Sequence, residues 1–114
     1  MEWIKIKGYL GEFLSRLFLN IKGYQVLAQR YKTSCGEIDI IAQKGNTVVF
    51  IEVKARKDQE KCFVAITDKQ LKRVQNASQI FLKNHPKLQN CDIRYDVMLV
   101  ADWRIPLHIE NITM

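Results

Sequence analysis

The residues with the clearest chemical potential are four charged side chains that lie close together in the chain. Asp39 is followed, after twelve intervening residues, by Glu52-Val53-Lys54, and Glu37 lies two residues before Asp39. Carboxylate oxygens are the ligands that Mg²⁺ prefers in proteins, and a lysine beside the metal can stabilise charge that develops on a phosphate. This set therefore has the residue types needed for metal-assisted hydrolysis of a phosphodiester.

A predicted β-hairpin brings these side chains together. Gly45-Asn46 is a strong two-residue turn signal, and the flanking runs 36–42 and 47–54 are rich in Ile and Val, which predicts two strands. With this turn, Lys44 pairs with Thr47. The register of the whole hairpin then follows from this first pair.

That register places Asp39 directly opposite Glu52, and Glu37 directly opposite Lys54, with Cβ atoms about 5 Å apart on one face. A slip of one residue would oppose Asp39 to Ile51 and bring charge into the core, so the register is well specified. The other face is wholly apolar and carries Ile38, Ile40, Ala42, Val49, Ile51 and Val53.

Two interpretations of the acid pair remain open at this point. Like charges directly across a sheet are destabilising, so Asp39 and Glu52 need a cation between them. Either Lys54 and nearby basic residues neutralise the pair in a solvated salt-bridged face, or a divalent metal ion binds there.

The elements around the hairpin predict an α/β domain. A first helix carries an apolar stripe, Leu10, Phe13, Leu14, Leu17, Phe18 and Ile21, and ends at Gly23. Its other side holds small residues, among them Gly11 and Ser15, which allows the helix to be covered on two faces. A strand is predicted over 24–31, a second helix over 67–84, and two final strands over 93–101 and 105–112. Thr67 and Gln70 fit a capping box at the start of the second helix.

The motif Asp39…Glu52-Val53-Lys54 resembles the PD-(D/E)xK signature of restriction-endonuclease-like nucleases. Its surroundings resemble the YraN family, small bacterial proteins similar to archaeal Holliday-junction resolvases. The matching residues run through most of the chain: Gly11-Glu12, Gly36–Asp39, Phe50–Lys54, Arg56, Lys69 and Arg94–Asp96.

The resemblance implies a role for each matching residue. Glu12 matches the acid of the first helix, Asp39 and Glu52 match the metal-binding acids, and Lys54 matches the lysine of the motif. The main-chain carbonyl of Val53 would be a further metal ligand by the same analogy. The implied cofactor is Mg²⁺ or Mn²⁺.

A basic segment follows the motif. Between Lys54 and Arg73 there are seven basic and three acidic residues, a local net charge of +4 within a total of +6. Such a patch beside a metal site favours contacts to the phosphate backbone of a nucleic acid, and a solvated helix face is the alternative. The predicted contacts are Arg56, Lys57, Lys69, Lys72 and Arg73.

Length and composition set the outer limits. The chain has 114 residues, of which 47% are hydrophobic and 26% charged, which is typical of one globular domain, here 1–114. No apolar run is long enough to cross a bilayer, and nothing marks a secretory signal, so we expect a cytoplasmic protein without a membrane partner. Three cysteines without a CxxC pair predict free thiols and no zinc site.

The sequence thus predicts an α/β fold in the order αβββαββ, with a central mixed sheet flanked by helices, and the resemblance implies that this fold is restriction-endonuclease-like. The favoured function is a metal-dependent endonuclease acting on DNA, with branched DNA suggested by the resemblance, and a homodimer is compatible with it. The alternatives are a non-catalytic nucleic-acid-binding module with a vestigial metal site, and a protein-interaction domain whose acids are salt-bridged.

Overall fold

The computed structural model describes the backbone of residues 2–101 and 105–112, and within these ranges the side chains from residue 9 onward. The described helices and strands follow one another in the order αβββααββ. They are α1 (Glu2–Ile21), β1 (Gln25–Thr33), β2 (Gly36–Lys44), β3 (Thr47–Arg56), α2 (Gln59–Val64), α3 (Asp68–Lys83), β4 (Asp92–Ala101) and β5 (Leu107–Ile109), with one 3₁₀ turn at Pro86–Leu88.

The strands form one mixed sheet in the order β1-β2-β3-β4-β5. Neighbouring strands are antiparallel except for β3 and β4, which are parallel. A parallel pair requires a long crossover between its strands, and α2 and α3 provide it. The predicted mixed sheet flanked by helices is therefore confirmed. None of the described helices has an apolar stretch long enough to cross a bilayer.

Helices cover both faces of the sheet, which explains why β2 and β3 are apolar almost throughout. The core under α1 contains Leu19, Tyr24, Ile40, Ala42, Val49, Ile51, Met98 and Val100. The core under α3 contains Ile38, Ile41, Val48, Phe50, Val74, Ala77, Phe81 and Leu82. The helix predicted over 67–84 is confirmed as α3. Its predicted cap is also present, since the Thr67 hydroxyl accepts a hydrogen bond from the Gln70 N–H at 3.2 Å.

The predicted order of elements lacks one helix. No helix is predicted between Arg56 and residue 67, but Gln59–Val64 forms α2. The Asp58 carboxylate caps this helix by accepting the Lys61 N–H at 2.8 Å, and the buried Cys62 packs it near β4. Six residues are too few to show a helical period, which is why the apolar pattern missed it. The last strand is also shorter than predicted.

The first helix contacts the sheet through its small residues. Gly11, Ser15 and Leu19 are buried, and a Cβ atom on Gly11 would lie 2.8 Å from the Cβ of Ala55. The Ser15 hydroxyl is satisfied within the helix because it donates to the Gly11 carbonyl at 2.8 Å. The expectation that α1 is covered on two faces is wrong for a single chain, since most of the apolar stripe is exposed.

This packing predicts that Gly11→Ala destabilises the protein. The added methyl group would overlap β3, at a cost of about 1–3 kcal/mol, while the gain in helix propensity returns about 1 kcal/mol. We therefore expect the free energy of unfolding, measured by urea titration, to fall by up to about 2 kcal/mol. The exposed Asn20→Ala change in the same helix is the control, and an unchanged stability of Gly11→Ala would contradict this packing.

Candidate functional site

The hairpin register is confirmed up to the acid pair and changes there. The β2–β3 ladder runs from the pair Lys44–Thr47 to the pair Ile40–Ile51, as predicted. It ends there, next to Asp39. At this point the Asp39 carboxylate accepts the backbone N–H of Val53 at 2.8 Å. The predicted backbone pair of Asp39 with Glu52 is therefore not formed, because a side chain replaces the main-chain acceptor.

The strand on the other side of β2 is also irregular at this point. β1 pairs Gln29 with Ile40 and Tyr31 with Ile38, but the intervening Arg30 does not pair with Asp39 and has a left-handed φ of 49°. Ile38 and Ile40 consequently pack on opposite faces of the sheet. The predicted apolar face containing both residues is wrong, because the alternation breaks at Asp39.

The carboxyl groups of Asp39 and Glu52 nevertheless meet. Both residues line the same cavity, and the Glu52 side chain is only 14% exposed. Burial, followed by the repulsion from Asp39, raises the pKa of Glu52 from 4.5 to about 8. Lys54 is also buried, with its Nζ 3.7 Å from a Glu52 oxygen, and it offsets this increase only in part.

A cavity of about 260 Å³ opens from the acid pair toward α3. Its lining is largely polar and consists of Gly36, Glu37, Asp39, Glu52, Gln70 and Arg73. Gly36 has a φ of 147°, and a Cβ atom there would approach the Arg73 Cβ to 3.2 Å. A larger residue at position 36 would therefore crowd Arg73 at the cavity wall.

Sequence reasoning missed Gln70 as part of this cavity. Its backbone N–H completes the Thr67 cap, as predicted, but its side chain makes no reciprocal bond and lines the cavity instead. The Gln70 Oε1 atom is buried without a hydrogen-bond partner among the described residues. The available signal was its spacing from Arg73, which places both residues on neighbouring positions of one helix face.

Of the other predicted residues, Glu37 and Arg73 line this cavity, and the rest lie around it. Glu12 holds the Nε of Arg30 at 2.9 Å, and Arg30 also lies over the Tyr9 ring, 3.8 Å from its centre. Glu37 pairs in the sheet with Lys32 rather than with Lys54. The predicted nucleic-acid contacts are all exposed, namely Arg56, Lys57, Lys69, Lys72 and Arg73, and among them Arg73 alone lines the cavity.

A second polar cluster joins β4 to β5 and to the end of α1. Asp96 is buried and accepts hydrogen bonds from Arg94, from the His108 ring at 2.6 Å and from the Asn111 N–H at 2.9 Å. Burial would raise the pKa of Asp96, but these donors outweigh it and hold the pKa below its usual value. Arg94 and Asp96 thus pair with each other, and neither lines the acid cavity.

His108 has a structural role in this second cluster. The Lys22 ammonium has no acceptor, so at 2.7 Å it donates to Nδ1 of His108. With Nδ1 accepting, the ring donates from Nε2 to an Asp96 oxygen at 2.6 Å. These bonds tie β5 to the end of α1, and every ring nitrogen is used.

The acid pair suits a hard divalent cation. The described residues contain no group of three or more His, Cys, Asp or Glu side chains arranged for a metal, so protein ligands would come from two carboxylates. Mg²⁺ is commonly held by one or two carboxylates and keeps several waters, which the cavity has room for. The three cysteines are free thiols, as predicted.

Comparisons with known proteins agree with one another. Residues 11–100 match the family described as "Uncharacterised protein family UPF0102". UPF0102 proteins of Mesorhizobium japonicum and Rhizobium meliloti are each 40% identical over 105 residues, 92% of this chain and 84% and 86% of the relatives. One from Paramagnetospirillum magneticum is 38% identical over 109 residues, 92% of this chain and 84% of the relative. These names state no activity or ligand.

The raised pKa of Glu52 predicts a pH dependence of stability. A carboxyl group with a higher pKa in the folded state holds its proton there longer, so the unfolding free energy falls between about pH 4.5 and 8. We expect Glu52→Gln to remove this loss and, in chelator at pH 8.5, to raise the melting temperature by about 4 °C or more. Scanning calorimetry of the parent and of Glu52→Gln at pH 5 and 8.5 measures this difference in melting temperature.

The exposed Glu60→Gln change is the control for the loss of one negative charge. It should leave the melting temperature nearly unchanged at both pH values. A Glu52→Gln variant less stable than the parent at pH 8.5 would contradict the repulsion between the two acids.

Proposed function

This chain belongs to the UPF0102 (YraN) family, and from its acid cavity we propose that it is a divalent-metal-dependent endonuclease that hydrolyses DNA phosphodiesters. The proposal includes a restriction-endonuclease-like fold, to which the sequence motif and the mixed sheet with flanking helices both correspond. The observation that carries it is the Asp39–Glu52 pair, which faces an open cavity. Lys54 lies beside Glu52 but offsets the repulsion between the two acids only in part.

Asp39 and Glu52 would hold the metal, and by the resemblance the Val53 carbonyl would complete the protein ligands. A bound Mg²⁺ or Mn²⁺ lowers the pKa of its water and polarises a phosphate oxygen. The Val53 N–H fixes the Asp39 carboxylate by its hydrogen bond, so this ligand is held in place before any metal arrives.

Lys54 would stabilise the attacked phosphate. Its ammonium group is held beside Glu52 in a buried position, where a charge acts more strongly than in water. Across the cavity, Arg73 presents a guanidinium for phosphate oxygens, and the unpartnered Gln70 Oε1 offers an acceptor for a water molecule.

Glu12 takes part from outside the cavity in this proposal. Its carboxylate holds Arg30, which sits across from the irregular position of Asp39 in the sheet. It would act through Arg30 or through water rather than as a direct metal ligand.

The exposed basic residues support DNA as the polyanion. Contacts from Arg56, Lys57, Lys69 and Lys72 would hold the phosphate backbone without reading its sequence, which fits a nuclease that recognises shape, such as that of branched DNA.

The direct test is cleavage of plasmid and four-way-junction DNA with Mg²⁺ or Mn²⁺. We expect cleavage by the parent chain and a loss of at least about 100-fold in Asp39→Asn, Glu52→Gln and Lys54→Met, since each removes a ligand or a charge from the transition state. Glu60→Gln is the matched control and should cleave like the parent. Mn²⁺ should also raise the melting temperature of the parent but not of Glu52→Gln.

The two alternative functions give different results in this assay. DNA binding by the parent chain without cleavage in either metal would favour the non-catalytic binding module. Absence of binding even at low salt, where phosphate contacts are strongest, would leave the protein-interaction domain.

The position of the basic residues predicts the salt dependence of binding. For Lys69→Ala with Arg73→Ala, we expect weaker DNA binding and a plot of log K against log salt that is shallower by about 0.9 per lost contact. Lys83→Ala, at the far end of α3, is the control and should leave the slope unchanged. Fluorescence anisotropy over a salt series measures both, and equal slopes for the two variants would contradict the proposed interface.

A further inference from the structure

The outward face of α1 is an apolar stripe that no other described helix or strand covers. It contains Tyr9, Leu10, Phe13, Leu17 and Ile21, which are between 44% and 83% exposed. Their spacing of one, three or four residues places them along one side of the helix. Exposed large apolar residues that form a continuous stripe mark an interaction surface, whereas scattered ones do not.

The stripe cannot be buried by turning the helix. The opposite side is fixed against the sheet by Gly11, where no Cβ atom fits beside Ala55, and by the fully buried Leu19. A rotation of α1 toward the stripe would push larger side chains into this contact. Among the described residues, therefore, no rearrangement of α1 covers the stripe.

The charge on this face disfavours a polyanion. From Tyr9 to Ile21 the charged residues are Glu12 and Arg16 alone, and Glu12 is already paired with Arg30. The chain as a whole carries +6, so two copies would repel each other through most of their surfaces. They can approach closely through this nearly neutral stripe.

The size of the stripe is sufficient for a pair of chains. With about 200 Å² for a fully exposed large side chain, the five residues present on the order of 500 Å² per chain. Two copies would bury about 1,000 Å² or more, which meets the lower limit for a specific interface.

We propose that a second copy of this chain covers the stripe, with the two α1 helices packed against each other about a two-fold axis. Such an interface is self-complementary, because the same residues are presented by both copies. α1 and α3 lie on opposite faces of the sheet, so pairing through α1 leaves both acid cavities open. The inference does not depend on the proposed nuclease function.

The oligomeric state in solution tests the proposal. By analytical ultracentrifugation we expect the parent chain to form dimers at about 100 µM, and Phe13→Glu and Leu17→Glu to raise the dimer dissociation constant at least about tenfold. Both positions are exposed, so the variants should keep the parent's circular dichroism and melting behaviour. Phe63→Glu, a similarly exposed aromatic position on α2, is the matched control and should still dimerise.

A cysteine cross-link locates the interface independently. In a Cys35→Ser, Cys91→Ser background, Leu17→Cys should form a disulfide-linked dimer under mild oxidation, and Val64→Cys on α2 should not. A parent chain that stays monomeric at about 100 µM would overturn the proposal, as would a dimer unaffected by both α1 variants. A monomer that instead sediments with anionic lipid vesicles would assign the stripe to a membrane surface and equally overturn it.

Discussion

The hydrogen bond from the Val53 N–H to the Asp39 carboxylate, 2.8 Å long, ends the β2–β3 ladder and brings the two acids together. A strand N–H that loses its main-chain partner inside a protein must find another acceptor, because a buried unpaired donor is costly. Asp39 meets that requirement and is thereby fixed in orientation. The Asp39 carboxylate thus replaces a main-chain acceptor, and the β2–β3 ladder opens at this point. The cavity, the buried Lys54 and the raised pKa of Glu52 all depend on this opening.

The sequence was informative where a local signal determines geometry. Gly45-Asn46 and the runs of Ile and Val determine the turn and the register up to Ile40–Ile51, and Thr67 determines the start of α3. The break at Asp39 could not be predicted, since it coincides with a left-handed residue, Arg30, in the neighbouring strand β1.

Other differences arise from packing that no local pattern encodes. Apolar periodicity identifies α1 but does not say which side meets the sheet, and here the close approach allowed by Gly11 and Ser15 prevailed over the larger apolar stripe. The sequence predicts Gln70 only as a capping residue of α3, because its spacing from Thr67 fits a capping box. Its side chain instead lines the cavity, which no capping pattern indicates. The family resemblance gave Glu12 a role, while its contact with Arg30 is visible only in three dimensions.

The opposite pKa shifts of Asp96 and Glu52 are the reason why we propose a functional site at one cluster and a structural link at the other. Asp96 has donors from Arg94, His108 and the Asn111 backbone, and its pKa is lowered because the chain supplies everything that its charge requires. Glu52 has a second carboxylate beside it and one lysine at 3.7 Å, and its pKa is raised because the chain supplies too little. A carboxylate with too little positive charge around it destabilises a fold. A divalent cation, as we propose, would supply the missing positive charge at Glu52, whereas the donors around Asp96 already compensate its charge.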